Sequence, residues 1–198
     1  MADIFHEVEE DLRRDQALAF WKKYGNFVIA AALVVVLAVA GQWGWREYAA
    51  RKQLQASADF LSAAATADVA QREAALGKLA AEGGTYAVLA RFRLAETALQ
   101  AGDKAKARDV LSEIAKDQGA DTALRDLATI QAALLELEIG KPEAAAGMVK
   151  DLTQEGQAYR LSALEITGLA AMAGGGKEKA KATFEEVKKL AAAQAPNS

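Results

Sequence analysis

Apolar residues are distributed unevenly along the 198-residue chain. One uncharged run, FVIAAALVVVLAVAGQWGW, covers residues 27–45, whereas the remainder mixes apolar and polar residues at helical spacing. A helix of this length rises about 28 Å, which is close to the hydrocarbon thickness of a bilayer. The run therefore predicts a membrane-spanning helix, and the longer mixed region predicts amphipathic helices.

Aromatic residues flank the apolar run on both sides. Tryptophan and tyrosine rings favour the headgroup level of a membrane, so two aromatic clusters about one bilayer apart are typical of membrane interfaces. The predicted membrane-interface residues are Trp21, Tyr24, Trp43, Trp45 and Tyr48. A buried core helix is the alternative, but a run that is apolar on all faces is unusual in a small soluble domain.

A cleaved signal peptide is a second alternative, because Ala38-Val39-Ala40 has the small-x-small form of a cleavage site. The preceding region is long and rich in acidic residues, however, whereas a signal n-region is short and basic. We therefore expect an uncleaved anchor over residues 25–45. Residues 1–24 are predicted to be a cytoplasmic amphipathic tail, either solvated or bound to a membrane surface or partner, and the large region after the span is predicted to be exported.

The region after the span is expected to be entirely helical. It contains two prolines, abundant alanine and no alternating β-branched runs. Asp68 is a predicted N-cap, Gly83-Gly84 is a predicted helix end, and the anchor is expected to continue into the first helix. The predicted helices cover residues 69–81, 86–101, 104–118, 122–139, 142–155, 158–173 and 177–194.

Glycine-bearing turns at residues 102, 140 and 175 recur at 38 and 35 residues, close to the period of about 34 of tetratricopeptide repeats. When the repeats are aligned on their turn glycines, one equivalent position is occupied by a small residue in each repeat: Ala107, Ala145 and Ala180. The large aromatic positions of the repeat are occupied by other residues, which include Arg91 and Glu136. The pattern predicts helical hairpins in a solenoid, with a generic alanine-rich bundle as the alternative.

Composition narrows the possible chemistry. A net charge of −3 provides no basic footprint for nucleic acid, and the absence of cysteine excludes thiol nucleophiles and thiolate metal sites. The single histidine, His6, precedes the span, and the glycine run before Lys177 lacks the spacing of a phosphate-binding loop. We therefore expect a binding protein without catalytic residues, metal or cofactor, rather than an enzyme.

A surface is what stacked helices can provide. In tetratricopeptide arrays the first helix of each pair lines the concave face. Alignment of the repeats on their turn glycines places a mostly apolar set of residues there. This set predicts either ordinary core or an open groove for a partner helix or an extended, newly exported segment. The candidate groove residues are Leu89, Phe92, Glu96, Leu127, Ile130, Leu134, Leu137, Glu165, Leu169 and Met172.

The order of segments resembles the bacterial ancillary Sec translocon subunit family. An acidic tail precedes FWKKYGN at the start of the span, GWREYAARKQ follows it, and TYAVLARFRLAE and SALEITGLAAMAGGGKEKAKATFEE lie in the domain. The resemblance implies a single-pass inner-membrane protein whose residues 46–198 form a periplasmic tetratricopeptide-like domain. It also implies association with the SecYEG channel and with a periplasmic chaperone of the peptidyl-prolyl isomerase type. Exported unfolded chains and membrane lipid are further expected partners, and a scaffold for cell-envelope assembly or division is the alternative function.

Overall fold

The computed structural model describes residues 2–194, without the side chains of residues 2–13, 15–17, 19 and 194. These residues form helices joined by short turns, and residues 2–194 contain no β-strand. The predicted all-α fold with one long apolar N-terminal helix is confirmed. In chain order the elements are α1 (Ala2–Ala65), α2 (Val69–Glu82), α3 (Thr85–Gln100), α4 (Lys104–Lys116), α5 (Thr122–Glu138), α6 (Pro142–Val149), a 3₁₀ helix (Lys150–Thr153), α7 (Arg160–Ala173) and α8 (Lys177–Gln194).

The chain divides into two compact units between Leu54 and Gln55. The first unit consists of helix α1 up to Leu54. Among the described residues, one helix is long and apolar enough to cross a membrane, namely the part of α1 from Phe20 to Ala65. Its most apolar stretch has no buried residues, as expected of a segment whose apolar side chains face lipid. His6 and most of the predicted amphipathic tail, residues 1–24, lie outside the described side chains.

The second unit consists of hairpins whose helices begin at the positions that the sequence predicts. Asp68 is the N-cap of α2, and its carboxylate accepts a hydrogen bond from the backbone N–H of Gln71 at 2.8 Å. Asp103 caps α4 in the same way. Pro142 lies in the first turn of α6, where its missing N–H leaves no helical bond unmade.

One predicted helix is shorter in the structure than expected. The helix predicted over residues 142–155 ends at Val149 and continues as the 3₁₀ helix. A 3₁₀ turn is a common way to tighten a helix end, and here the Thr153 hydroxyl donates a hydrogen bond to the carbonyl of Lys150 at 2.7 Å.

Three hairpins, α3/α4, α5/α6 and α7/α8, follow one another, and α2 packs against α3. Gly102 and Gly140 occupy equivalent turns with φ of 80°, a backbone conformation that favours glycine. The small residues that share a predicted position, Ala107, Ala145 and Ala180, are all buried at 4% exposure or less. Small side chains at these points let the two helices of each hairpin approach closely.

The core consists of three apolar clusters that follow one another along the unit. The first joins the end of α1 to α2 and α3, and includes Ala63, Leu76 and Ala90. The second joins α3, α4 and α5 around Leu111. The third joins α5, α6 and α7 around Val149. Each hairpin therefore buries its apolar face only against its neighbours, as in repeat proteins.

Candidate docking groove

An apolar cavity of about 760 Å³ opens between α3 and α5. Its floor includes Leu111 of α4, and Phe60 closes one side from the end of α1. We call it the α3/α5 groove. It is lined by Phe60, Leu89, Phe92, Arg93, Ala95, Glu96, Leu99, Leu111, Leu124, Leu127, Gln131, Leu134, Leu135 and Glu138.

The two walls follow from helical spacing. Leu89, Phe92, Glu96 and Leu99 recur every three or four residues and form one stripe of α3, and an equivalent stripe of α5 runs from Leu124 to Glu138. Within the described helices, α3 and α5 do not pack closely against each other, whereas α5 packs directly against α7. The groove therefore exists because two first helices of neighbouring hairpins are held apart.

Apolar surface inside the groove is only partly covered. Leu99 and Leu134 are each 41% exposed, and Leu89, Phe92 and Leu127 are half-buried. A contiguous apolar concavity of this kind on a folded domain is typical of a binding surface. The arrangement can bury apolar side chains of a partner.

Charges at the groove mouth are already paired. The Arg93 guanidinium donates to Glu96 at 2.6 Å, and the Lys104 ammonium lies 2.8 Å from a carboxylate oxygen of Glu138. All four side chains are about half exposed, so each pair stabilises the fold by about 1 kcal/mol or less. The charged side chains in these two pairs therefore neutralise one another beside the apolar walls.

Five of the ten predicted groove residues line the α3/α5 groove: Leu89, Phe92, Glu96, Leu127 and Leu134. The other five lie elsewhere. Ile130 is buried among α5, α6 and α7, and Leu137 packs half-buried on the same cluster. On α7, Glu165 and Met172 are exposed and Leu169 is half-buried.

The sequence did not indicate several lining residues. Leu99 and Leu124 follow the same three-or-four spacing and are detectable by extending each stripe by one turn. Gln131 lies within the α5 stripe, four residues after Leu127, but it is polar. Phe60 precedes the first hairpin, so it lies outside the repeats that can be aligned on the turn glycines. Its ring lies 5.9 Å from that of Tyr86, which fixes it beside α3.

A partly buried ion pair lies outside the groove, where α4 meets α5. The Arg108 guanidinium donates to the carboxylate of Glu136, which is 5% exposed. This hydrogen bond raises the pKa of Arg108 above its usual range. Arg108 also contacts Asp109 at 2.8 Å. Glu136 occupies a position where the repeat usually has a large aromatic side chain, so the ion pair replaces aromatic packing between these hairpins.

A second ion pair involves Arg91, which also occupies a position where the repeat usually has a large aromatic side chain. The Arg91 guanidinium donates to Asp117 at 2.6 Å and to the carbonyl of Ala80 at 3.0 Å. The hydrogen bond from Arg91, followed by that from the backbone N–H of Gly119, lowers the pKa of Asp117. One arginine thereby links α3 to the ends of both α2 and α4.

In the first unit, the predicted membrane-interface residues are exposed at both ends of the apolar run. Trp21 and Tyr24 are 56% and 43% exposed, and Trp43, Trp45 and Tyr48 are 62–72% exposed. The helix rises about 28 Å between Tyr24 and Trp43, close to one hydrocarbon thickness. Their place at a membrane interface stays a prediction. In the described part of the chain, no group of three or more His, Asp or Glu side chains is arranged to hold a metal ion.

Comparison with known proteins agrees with this architecture. An ancillary SecYEG translocon subunit from Haemophilus influenzae is 26% identical over 188 residues, which cover 91% of this chain and 89% of that protein. The predicted family resemblance is thereby confirmed. No solved structure matches the chain. Residues 18–197 match the family model described as a tetratricopeptide repeat-like domain, and the chain therefore belongs to that family.

Proposed function

We propose that this protein is a non-enzymatic accessory subunit of the Sec translocon. The observation that carries the proposal is the similarity to a relative named as an ancillary SecYEG translocon subunit, because it extends over 91% of this chain and 89% of the relative. The similarity therefore includes both the apolar helix and the repeat domain. The relative's name and the tetratricopeptide repeat-like domain both favour a role in binding rather than in catalysis.

The one candidate span among the described residues fits a single-pass membrane protein. Its location is proposed to be the bacterial inner membrane, with residues 1–24 in the cytoplasm, 25–45 in the bilayer and 46–198 in the periplasm. Two features of the sequence support this orientation. The large hydrophilic region follows the span, and Arg13, Arg14, Lys22 and Lys23 give a small excess of basic residues before it.

In the periplasm, the repeat domain is proposed to bind a chaperone of the peptidyl-prolyl isomerase type and to assist exported chains as they emerge. The apolar α3/α5 groove supports this role, since it offers a surface that a partner can cover. The membrane anchor supports it as well, because a tethered domain meets emerging chains at a high effective concentration.

In-cell photo-crosslinking tests the proposal. A photoreactive amino acid replaces Tyr48, next to the span, in one strain and Leu99, on the groove mouth, in another. Glu113, an exposed residue of α4 that does not line the groove, provides the matched control position. We expect SecYEG subunits crosslinked from position 48 and the chaperone or exported chains crosslinked from position 99. Crosslinks to envelope-assembly or division proteins at both positions, without the channel, would instead favour the alternative scaffold.

A further inference from the structure

Basic residues follow the predicted span closely on its C-terminal side. Residues 46–52 contain three of them, Arg46, Arg51 and Lys52, and one acidic residue, Glu47, which gives the segment a net charge of +2. Glu47 accepts a hydrogen bond from Arg51 at 2.8 Å. Arg46 and Lys52 are exposed, and neither has an ion-pair partner among the side chains that the structure describes. Two exposed cations therefore lie beside the end of the span.

The two ends of the span differ in where their basic side chains point. Every Cα–Cβ bond of an α-helix tilts toward the N-terminus of the helix. After the span this tilt directs Arg46 and Lys52 back toward the bilayer, whereas before the span it directs Lys22 and Lys23 away from it. The long apolar stem of a lysine or arginine extends this reach. The basic residues after the span are therefore the better placed to meet lipid headgroups.

One face of the same segment places an aromatic pair beside a cation. Trp45, Tyr48 and Lys52 are three and four residues apart, so they lie on one side of α1. The centroids of the Trp45 and Tyr48 rings are 6.2 Å apart, and the two residues are 71% and 62% exposed. Such rings favour the headgroup level of a bilayer. This face therefore offers an indole N–H, a phenol hydroxyl and an ammonium to a headgroup.

The anion that a bilayer presents at this level is the phosphate of its lipids. In a zwitterionic lipid an ammonium group accompanies the phosphate and opposes the cations of the protein, whereas an anionic phospholipid has no such group. We infer that residues 45–52 of α1 bind the headgroup of anionic phospholipids. The inference rests on the proposed span, but it does not depend on association with the channel.

Native mass spectrometry of the full chain tests the inference. The protein in mild detergent is incubated with equal amounts of phosphatidylglycerol and phosphatidylcholine that carry the same acyl chains, and the lipid adducts are distinguished by mass. We expect phosphatidylglycerol adducts to exceed phosphatidylcholine adducts about fivefold or more, because each basic residue near an anionic headgroup favours binding by about that factor. The excess should fall as the ionic strength rises.

Matched charge variants locate the site. Arg46→Gln combined with Lys52→Gln removes two positive charges after the span, and Lys22→Gln combined with Lys23→Gln removes two before it. Glutamine is a good helix former and all four side chains are exposed, so both variants should keep helix α1. The first variant should reduce the phosphatidylglycerol excess to about twofold or less, whereas the second should leave it within about twofold of wild type.

A single substitution tests the site in the opposite direction. Glu47→Gln removes the carboxylate that is paired with Arg51, so the phosphatidylglycerol excess should rise above that of wild type. Inorganic phosphate, added at constant ionic strength, should not displace the lipid, because it lacks the acyl chains that hold a headgroup beside the span.

Four outcomes would overturn the inference: equal retention of the two lipids by wild type, an excess that survives Arg46→Gln with Lys52→Gln, equal losses in the two double variants, or displacement of the lipid by inorganic phosphate. Absence of adducts of either lipid would contradict the proposed span as well. Selective phosphatidylglycerol binding without SecYEG crosslinks from position 48 would instead contradict the translocon proposal and leave the headgroup site in place.

Discussion

The α3/α5 and α5/α7 junctions each place the first helices of neighbouring hairpins side by side, but only the α5/α7 junction is filled. At the filled junction, Ala133 and Ala163 are fully buried and Ile166 is 1% exposed. At the open junction, Phe92 and Leu127 face a cavity instead. Small side chains let two helices approach, and large side chains facing each other keep them apart. The same repeat therefore produces core at one junction and an open apolar groove at the next.

The open junction is held together on its other side. Leu111, Ala128 and Ala132 join α4 to α5 in the apolar core, and Arg108 is paired with Glu136 beside them. The groove can stay open without loosening the hairpins because α4, and not α3, provides the packing surface for α5. Four predictions test how these junctions and the contacts around them are held together.

The largest expected effect is at the filled junction. Ile166→Ala should lower the free energy of unfolding by about 2–5 kcal/mol, because it leaves a cavity in a closed core. Leu134→Ala in the groove should lower it by about 1 kcal/mol or less, since its side chain is 41% exposed. Urea unfolding of the full chain in detergent micelles, followed by far-UV circular dichroism, measures both values. Similar losses at the two positions would mean that the groove is core.

The second-largest loss of stability is expected at the Arg108–Glu136 ion pair. Arg108→Met should cost about 2–3 kcal/mol of unfolding free energy, because it leaves the Glu136 carboxylate buried without its cation. The double variant Arg108→Met with Glu136→Leu should recover most of that loss, since an apolar pair needs no counter-charge. The same urea titration measures the unfolding free energies of the single and double variants. A double variant as unstable as the single one would show that the pair contributes through geometry rather than charge.

A smaller effect is expected where α7 meets α8. A Cβ added at Gly168 lies 2.9 Å from ring atoms of Phe184, so Gly168→Ala requires the ring to move. Overpacking costs about 1–3 kcal/mol and alanine regains about 1 kcal/mol of helix propensity, which gives a net loss of about 1 kcal/mol.

Gly147 on α6 provides the control for this prediction. A Cβ added there meets no atom within 4 Å, so Gly147→Ala should raise the free energy of unfolding slightly. Equal changes at the two glycines would contradict the close approach of α7 and α8. Phe184→Leu combined with Gly168→Ala should remove the penalty by taking away the ring.

The smallest effect depends on pH. The hydrogen bond from Arg91 lowers the pKa of Asp117 in the folded protein, so the carboxylate stabilises the fold above the unfolded-state value of about 3.9. This stabilisation is lost as the pH falls through the lowered pKa. The stability difference between wild type and Asp117→Asn should therefore be constant from about pH 7 to 5 and shrink below about pH 4. Urea unfolding of both proteins at each pH measures this difference.

The hairpins were predictable because their signals are local. Asp68 and Pro142 mark helix starts, the turn glycines mark ends, and alanines at one equivalent position mark the close crossings within hairpins. Arg91 and Glu136 looked like departures from the repeat. They are ion-pair partners in the structure, but their partners lie 26 and 28 residues away in sequence, so no local pattern identifies them.

The limits of the groove were less predictable. On α5, Leu127 lines the groove and Ile130 lies in the core, although the two are only three residues apart and about 60° apart around the helix. Alignment of the repeats on their turn glycines assigns both residues to one concave face. Which of them stays accessible depends on the distance to the next hairpin, and that distance is set by side-chain sizes on a different helix.

The position of the tryptophans determines what fluorescence can report about this protein. All three tryptophans of the chain, Trp21, Trp43 and Trp45, lie on the exposed surface of α1 in the first unit. Intrinsic tryptophan emission therefore reports the surroundings of the predicted span and carries no background from the hairpins. Quenching by lipids brominated at defined depths can measure how α1 is positioned in a bilayer, and Phe92→Trp, combined with replacement of the native tryptophans, would give the groove a signal of its own.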